Sequence, residues 1–280
     1  MTGTDDESRG TVSFQGEHGA YSEQAAQSYF GESVHTEPCN TIKGVFTAVE
    51  KVSSLFGVVP AENSLEGSVN QTYDLLLESF LKICAEVKIK ITHCLLALPG
   101  TKLADVRAVY SHPQALAQCS AFLESLHVSG EPAYDTAGSA RLLKERDLHD
   151  AAAIASKKAA ALYGLEILQE RIEDFPENFT RFLVIGKQEA ARTGRDKTSI
   201  VFATKHTPGS LQKALSELST RGINLTKIES RPIRGMPWEY HFFVDFEGHR
   251  TDRGCVDALE ALGKATTLLK ILGSYPRALP

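Results

Sequence analysis

The stretch TVSFQGEHGAYSEQAAQSYF, residues 11–30, decides the predicted fold class. Its first five residues form a short apolar run typical of a β-strand, and residues 21–30 have helical periodicity after a turn containing Gly16 and Gly19. The same alternation continues with TIKGVFTAVE as a helix and SLFGVVPA as a strand, and AAAI at 151–154 reads as a buried strand. Because these strands lack polar alternation, they predict a sheet covered on both faces, as in parallel sheets with crossover helices. The sequence therefore predicts an α/β fold.

Composition limits the classes of function. A chain of 280 residues is long enough for about two domains. The net charge of -5 disfavours a nucleic-acid partner, which requires clustered lysine and arginine. The acidic start MTGTDDESRG has no signal-peptide layout, and no apolar run approaches the roughly 18 residues of a membrane span. We therefore expect a cytoplasmic protein with no membrane contact and a disordered segment at residues 1–10.

The cysteines and the motif content argue against metals and cofactors. Five cysteines without Cys-x-x-Cys spacing indicate reduced thiols rather than disulfides or a zinc site. The sequence also lacks a P-loop, a dinucleotide fingerprint and metal-ligand spacing. We expect no metal and no cofactor.

A polar segment, KQEAARTGRDK at residues 187–197, divides the chain. It lacks apolar periodicity and predicts a domain boundary. Beyond it the order strand, helix, strand, strand, helix, strand predicts a βαββαβ unit of ferredoxin-like type, with an antiparallel sheet and two helices on one face. A separate module of this size suits a regulatory or dimerising role.

Four turns of the first part combine polar residues with Gly or Pro directly after apolar strands. They are FQGEHGAYSE (14–23), VVPAENSLEGSV (58–69), YSHPQALAQC (110–119) and DTAGSARLL (135–143). Ligands of open α/β folds bind outside the carboxyl ends of strands, where helix N-termini present free N–H groups. Each turn is also explained by helix capping, but the recurrence after successive strands favours a functional cleft.

The stretch NFTRFLVIG, residues 178–186, places polar side chains in front of an apolar strand. Asn-x-Thr recurs at Asn70 and Asn224 and could be a glycosylation acceptor, which a cytoplasmic location removes. The other interpretation is a rigid site at a strand end.

Taken in order, these segments resemble the prephenate dehydratase family. The matching motifs are GAYSE, PAENSLEGS, SHPQALAQC, DTAGSA, AAIAS, LYGL, NFTRF and INLTKIESRP, which extend over nearly the whole chain after residue 11. The resemblance implies a catalytic domain at 11–187 built from two lobes like those of type II periplasmic-binding proteins, with the active site between them. Lobe 1 comprises about residues 11–85 and 176–187, and lobe 2 about residues 90–172. A linker at 188–196 and an ACT regulatory domain at 197–275 follow.

The resemblance also implies residue roles. Thr180 is the residue that hydrogen-bonds or protonates the leaving hydroxyl of prephenate. Arg181 binds a substrate carboxylate through its planar donor fork, or alternatively forms a structural salt bridge between lobes. His112 acts as an acid or holds its loop, and the loop role is favoured. The remaining substrate-binding candidates are Asn63, Ser64, Ser111, Gln114, Thr136, Ser139 and Phe182.

For the regulatory module the resemblance implies phenylalanine as the effector and pairing of ACT domains, hence a homodimer or homotetramer. Its binding candidates are Gly209, Ser210, Leu211, Asn224, Leu225, Glu229, Ser230, Arg231 and Pro232. Gln212 replaces the apolar residue usual at its position, and Ser230 has the alternative of simply ending an edge strand.

Three functions remain open at the level of sequence. The favoured one is the decarboxylating dehydration of prephenate to phenylpyruvate, inhibited by phenylalanine. The second is arogenate dehydration, which differs by an amino group in place of the substrate's keto group. The third is a catalytically silent amino-acid sensor, which the presence of Thr180 disfavours.

Overall fold

The computed structural model describes residues 10–278 of the chain, so the disorder predicted for residues 1–10 lies almost wholly outside the described residues. The first half of lobe 1 is a run of five strands and three helices that matches the predicted alternation. In chain order they are β1 (Val12–Gln15), α1 (Tyr21–Phe30), β2 (Thr36–Cys39), α2 (Ile42–Glu50), β3 (Phe56–Asn63), β4 (Gly67–Ser68), α3 (Asn70–Glu78) and β5 (Lys82–Lys90).

The second lobe is inserted after β5 and has its own sheet. Its elements are β6 (Cys94–Ala97), β7 (Ala108–Ser111), α4 (Pro113–Gln118), α5 (Ser120–Leu126), β8 (Ser129–Pro132), α6 (Thr136–Arg146), β9 (Ala151–Ala155), α7 (Lys157–Tyr163) and β10 (Glu166–Glu170). Strand β11 (Phe179–Gly186) then returns to the first sheet. The strand orders are β2-β1-β3-β11-β5 in lobe 1, with β4 added to β3, and β10-β6-β9-β7-β8 in lobe 2.

Both sheets are mixed rather than parallel, which corrects the expectation from the apolar strands. In lobe 1, β1 is parallel to β2 and β3, whereas β11 is antiparallel to β3 and β5. The reason is the insertion: the chain leaves lobe 1 along β5 and comes back along β11, so the two connections between the lobes run in opposite directions side by side. Burial on both faces does not depend on strand direction, so the apolar pattern could not distinguish the two cases.

The C-terminal module has the predicted ferredoxin-like arrangement. Its elements are β12 (Asp196–Ala203), α8 (Ser210–Ser219), β13 (Leu225–Pro232), β14 (Tyr240–Glu247), α9 (Arg253–Ala265) and β15 (Leu268–Pro276), in an antiparallel sheet of order β13-β14-β12-β15. Strand β12 begins at Asp196, the last residue of the predicted linker. Asp196 is buried, and its carboxylate accepts the main-chain N–H groups of Thr193 and Gly194. The predicted architecture of two α/β lobes followed by a ferredoxin-like domain is confirmed.

The C-terminal module packs directly on lobe 1. One hydrophobic cluster contains Leu183 and Ile185 of β11 together with Val201, Phe243 and Tyr275 of the module. At Gly273 the main chain of β15 lies so close to the main chain of Ile83 in β5 that a β-carbon would overlap it. The sheet of this module therefore forms a second layer behind the sheet of lobe 1.

Candidate active site

A cavity of about 500 Å³ lies between the two lobes. This volume suits a small organic molecule of the size of a substituted six-membered ring. Its walls come from lobe 1, lobe 2 and the strand between them: Gln15, Ala20, Tyr21, Ser22, Asn40, Thr41, Ile42, Pro60, Asn63, Val69, Gln71, Ile91, His93, His112, Gln114, Ala115, Gln118, Tyr134, Asp135, Thr136, Thr180 and Phe182.

Five helices begin at this cavity, because the N-termini of α1, α2, α3, α4 and α6 all contribute residues to its walls. None of the lining residues is lysine or arginine. Helix N-termini carry unpaired N–H groups and a partial positive charge, so they favour anions without a side-chain cation. Two of them, those of α1 and α3, have no side-chain cap, which leaves their first N–H groups without a side-chain acceptor. The cleft is therefore suited to a carboxylate-bearing ligand.

Thr180 and Asn63 meet at the floor of the cavity, on neighbouring antiparallel strands. They are paired in register, and Asn63 Nδ2 donates to Thr180 Oγ1 at 3.0 Å. The orientation of the Asn63 amide is fixed, because its Oδ1 accepts main-chain N–H bonds from Leu65 and Glu66. Since Thr180 Oγ1 accepts from Asn63, the threonine hydroxyl is free to donate its own hydrogen to a bound molecule.

A chain of amides extends from this pair across the cleft. Asn63 Nδ2 also donates to Asn178 Oδ1 at 2.7 Å, and Asn178 Nδ2 donates to Gln118 Oε1 at 3.0 Å. Gln118 Nε2 in turn donates to Glu66 Oε1 at 2.7 Å, which connects α4 of lobe 2 to the β3–β4 turn of lobe 1. The amides thus bind the two lobes together beside Thr180.

Six of the predicted substrate-site residues line the cavity: Asn63, His112, Gln114, Thr136, Thr180 and Phe182. Thr180 and Phe182 share one face of β11, as residues two apart on a strand do. His112 is the N-cap of α4, where its Nδ1 accepts the main-chain N–H of Gln114 at 3.2 Å. This geometry supports the loop role that the sequence favoured.

Three predicted substrate ligands do not line the cavity and bind backbone groups instead, which corrects the sequence interpretation. Ser111 is fully buried and its hydroxyl donates to the main-chain oxygen of Ile154. Ser139 is also fully buried and donates to the main-chain oxygen of Asp135. Ser64 Oγ accepts the main-chain N–H of Phe179 at 2.9 Å. Serine hydroxyls at strand and helix ends reach nearby backbone groups more readily than a ligand, and sequence does not distinguish the two partners.

Arg181 does not reach the cleft, so the expectation that it binds a substrate carboxylate is corrected. Its side chain lies on the opposite face of β11 from Thr180 and is 9% exposed. Its guanidinium donates to Asp245 Oδ2 at 2.6 Å and to the hydroxyl of Tyr73 at 3.1 Å, and it lies 3.3 Å from Glu86 Oε2. The alternative of a structural salt bridge describes it better, although the bridge joins lobe 1 to the regulatory module rather than lobe to lobe.

The sequence interpretation missed several cleft residues. Tyr21, Gln118 and Asp135 belong to segments that it had already singled out, and the helical spacing of Gln114 and Gln118 was the signal that places both on one face of α4. His93 lies in an apolar run and had no signal of its own. Its ring meets that of Tyr21 edge to face, with centroids 6.0 Å apart.

Two carboxyl groups shape the electrostatics near the cleft. Burial raises the pKa of Asp135, against the main-chain N–H bonds from Gly138 and Ala137 that lower it, and nearby Glu17 raises it further. At Glu23 burial also raises the pKa, but hydrogen bonds from Gly19, His18 and Thr36 outweigh it, and the net pKa is lowered. Asp135 therefore brings an unfavourable negative charge to the wall of the cleft, whereas Glu23 is a stable anion.

The predicted effector residues fall into two groups. Gly209, Ser210, Leu211 and Leu225 line an open cavity of about 560 Å³ at the start of α8, and Gln212 lies on its wall. Asn224 directly precedes β13, and its main-chain oxygen accepts the main-chain N–H of Glu247.

Glu229, Ser230, Arg231 and Pro232 lie on β13, the edge strand of the sheet. Glu229 accepts from Ser68, and Arg231 forms a two-oxygen bond with Asp74 at 2.9 and 3.1 Å. Glu229 and Arg231 therefore face lobe 1, Ser230 and Pro232 are exposed, and none of the four lines the cavity at α8.

Comparison with known proteins agrees with this geometry. The family model for prephenate dehydratase matches residues 12–190, and the model for the ACT domain matches residues 198–264. The chain belongs to the prephenate dehydratase family. The family membership that the motifs indicated is thus confirmed.

Curated relatives extend over the full catalytic and regulatory parts. A bifunctional chorismate mutase/prephenate dehydratase of Aquifex aeolicus is 47% identical over 272 residues, which cover 96% of this chain and 74% of the relative. An arogenate dehydratase/prephenate dehydratase of Arabidopsis thaliana is 45% identical over 280 residues, covering 96% and 73%. Both substrates considered from the sequence thus occur in the names of relatives.

Two solved structures share the fold at 35% identity. One is a prephenate dehydratase from Arthrobacter aurescens in complex with L-Phe, with a TM-score of 0.88 over 96% of this chain and 90% of that one. The other is GqqA, described as a novel type of quorum quenching acylase, with a TM-score of 0.87 over 96% and 98%. In the described residues, 10–278, no helix is long and apolar enough to cross a bilayer, and no cluster of potential metal ligands occurs.

Proposed function

We propose that the protein catalyses the decarboxylating dehydration of prephenate to phenylpyruvate. The observation that carries this function is the pair Asn63–Thr180 at the floor of the cleft. Asn63 donates to one lone pair of the threonine oxygen, which leaves the Thr180 hydroxyl hydrogen available to a ligand in the cleft. The reaction requires a hydrogen-bond donor at one position, the departing hydroxyl of the ring.

The chemistry demands little else from the side chains. The bond between the ring and its carboxylate breaks and releases carbon dioxide, and the electron pair moves through the ring as it becomes aromatic. The hydroxyl on the opposite carbon leaves with that pair and becomes water by taking up one proton. Thr180 stabilises the charge that develops on this oxygen by hydrogen bonding, since a threonine hydroxyl is too weak an acid to protonate it fully.

Helix N-termini hold the two carboxylates of the substrate in this proposal. The walls of the cleft include no lysine or arginine, and the uncapped starts of α1 and α3 offer main-chain N–H groups. Binding through neutral donors has a chemical advantage here, because a cation beside the ring carboxylate would stabilise it and oppose its loss as carbon dioxide.

Arogenate is the second candidate substrate, and a specific observation favours it. Asp135 places a carboxyl group in the wall of the cleft, with Oδ1 engaged by the N–H of Gly138. An anionic Asp135 would attract the amino group that arogenate has and prephenate lacks. The two substrates therefore have to be compared on the same preparation.

The deciding experiment is a side-by-side assay of purified protein with prephenate and with arogenate, each with and without phenylalanine. We expect phenylpyruvate from prephenate without added metal or cofactor, and inhibition by phenylalanine. Faster turnover of arogenate would assign the second function. No turnover of either substrate, together with phenylalanine binding, would indicate the silent sensor.

We further propose that the effector site includes the cavity at α8 and that the protein is a cytoplasmic homodimer or homotetramer. The support is an open cavity that begins at Gly209 and an edge strand, β13, at the border of the ACT-type sheet. Light scattering with and without phenylalanine measures the assembly. A monomer that still responds to phenylalanine would contradict pairing as the basis of the site.

A further inference from the structure

His93 is buried beside the cleft and uses one of its two ring nitrogens. The side chain is 2% exposed, and its Nε2 lies 2.9 Å from Gln118 Oε1. Its Nδ1 is buried without a hydrogen-bond partner among residues 10–278. Buried polar atoms are normally paired, so an unpaired nitrogen in the wall of the active-site cleft requires an explanation.

The direction of every hydrogen bond in the neighbouring amide chain can be deduced from its two ends. At one end Glu66 Oε1 can only accept, so the group of Gln118 that faces it is Nε2, and Oε1 faces His93 and Asn178. At the other end the main-chain N–H groups of Leu65 and Glu66 can only donate, so Asn63 presents Oδ1 to them and Nδ2 to Asn178. Both ends of the amide chain therefore assign the same donor and the same acceptor to each hydrogen bond between them.

This direction fixes the tautomer of His93. Because Gln118 Oε1 is an acceptor, His93 has to donate from Nε2, and the neutral ring then carries a lone pair at Nδ1. Burial lowers the pKa of His93, in keeping with the neutral form. Nδ1 is thus unpaired because it carries the lone pair of a ring whose proton is on Nε2, where it is donated to Gln118.

We propose that His93 is a positioning residue for the dehydration: by donating to Gln118 it holds in place the amide chain that contacts the Thr180 hydroxyl. The chain runs from His93 through Gln118, Asn178 and Asn63, and it ends at Thr180 Oγ1. Without the His93 donor, Gln118 Oε1 keeps only one of its two donors, and the side chains of Gln118 and Asn178 are held less firmly. Asn63 keeps its direction through Leu65 and Glu66, so the loss is in the position of the amide chain against Thr180 and not in the direction of its hydrogen bonds.

The test compares two substitutions that separate the donor from the ring. His93→Gln places an amide nitrogen near the position of Nε2 without an aromatic ring, whereas His93→Phe keeps the ring against Tyr21 without a donor. We expect His93→Phe to lower kcat about tenfold with a KM changed less than about threefold, as for a buried acceptor that loses a donor. His93→Gln should stay within about threefold of wild type in kcat.

Two further measurements keep the test independent of folding and of general packing. In a Gln118→Ala background, His93→Phe should cause no additional loss of kcat, because its effect passes through Gln118. ¹⁵N NMR of the labelled imidazole in the intact protein should show Nε2 protonated and Nδ1 unprotonated at neutral pH. If His93→Phe does not fold, His93→Asn, whose amide stops one atom short of Nε2, should show the same loss.

Several results would overturn the inference. They are wild-type kcat in His93→Phe, equal losses in His93→Phe and His93→Gln, a full additional loss in the Gln118→Ala background, or a proton on Nδ1 instead of Nε2. The inference rests on the proposed dehydratase activity, and the wild-type assay separates the two. A wild-type protein without turnover overturns both, whereas an active wild type with an indifferent His93→Phe overturns only the role of His93.

Discussion

In the role proposed for it, Thr180 is useful as a donor because another residue occupies the accepting side of its oxygen. A free threonine hydroxyl rotates and can accept as easily as it donates. Here the amide of Asn63, itself held by two main-chain N–H groups, accounts for the accepting side. The position of the oxygen is therefore held before substrate binds and its hydrogen stays available, which favours efficient stabilisation of a transition state by a hydrogen bond.

Thr180→Val tests this role with a side chain of nearly the same shape. We expect kcat to fall by about 100- to 1,000-fold, the cost of removing a positioned donor in comparable sites, while the melting temperature stays close to that of wild type. Thr180→Ser keeps the hydroxyl and should retain most of the activity. Steady-state kinetics and thermal unfolding of both variants are the measurement, and an active Thr180→Val protein would remove Thr180 from the reaction.

Asp135→Asn tests the charge in the cleft wall, because asparagine can still accept the N–H of Gly138 as an N-cap. The raised pKa of Asp135 means that its ionised form is less favourable in the folded protein, so stability is lost as pH rises from the unfolded pKa through the folded one. The Asp135→Asn variant should therefore have a higher melting temperature than wild type at pH 7. Below pH 3.8, the ordinary pKa of an aspartate, its melting temperature should equal that of wild type.

The same substitution should distinguish the substrates. The KM for dianionic prephenate should fall roughly two- to fivefold when the negative charge is removed, and the KM for arogenate should rise. A rise for prephenate would show that Asp135 binds that substrate directly.

At the scale of elements, β3 and β11 each present alternate residues to two different partners. Asn63 and Thr180 face the cleft, whereas their chain neighbours Glu62 and Arg181 face the regulatory module. Glu62 binds Lys227 of β13 at 3.0 Å, and Arg181 binds Asp245 of β14. The cleft and the ACT-type sheet thus lie on opposite faces of β3 and β11, one sheet thickness apart.

Arg181→Met examines this interface. Removing one partner of a buried ion pair leaves Asp245 and Glu86 with less compensation, and the expected loss is about 3 kcal/mol in the free energy of unfolding. Because the guanidinium faces away from the cleft, the KM for prephenate should change less than about threefold in protein that remains folded. Arg181→Lys keeps the charge and should lose less stability. Urea unfolding and kinetics are the measurements, and a KM raised 100-fold with unchanged stability would restore a substrate role.

How much of this site could be predicted from the sequence depends on the same alternation of side chains between the two faces of a strand. Motif resemblance identified the segment around Thr180 but could not show that residue 181 points the other way, since period-2 alternation needs a known strand direction and register. Ser111 and Ser139 were equally ambiguous, because a hydroxyl at a helix or strand end satisfies the backbone and a ligand with the same chemistry. The convergence of five helix starts was inferable from the α/β pattern, whereas His93 depended on burial that only the fold defines.

At the scale of the whole molecule, the catalytic and regulatory parts share one hydrophobic cluster and a set of buried charges. Lys197 of β12 contacts Glu86 of β5 at 2.8 Å, and both side chains are almost fully buried. Such an interface is too well packed to slide freely, so a change in the ACT-type sheet has to be accommodated by the strands that carry Asn63 and Thr180. This continuity provides a physical basis for coupling between effector and substrate.

The coupling can be measured at equilibrium with the Thr180→Val variant, which should bind prephenate without converting it. If phenylalanine weakens prephenate binding by some factor, prephenate must weaken phenylalanine binding by the same factor, and we expect a value between about 5- and 150-fold. Calorimetric titration of each ligand in the absence and presence of the other, at neutral pH, gives the two factors independently. The control is the affinity of wild-type protein for phenylalanine alone, which should equal that of Thr180→Val because Thr180 lies in the cleft and not in the regulatory module. A factor of one in both titrations, with wild-type turnover still inhibited, would mean that phenylalanine acts on the chemical step and not on the occupancy of the cleft.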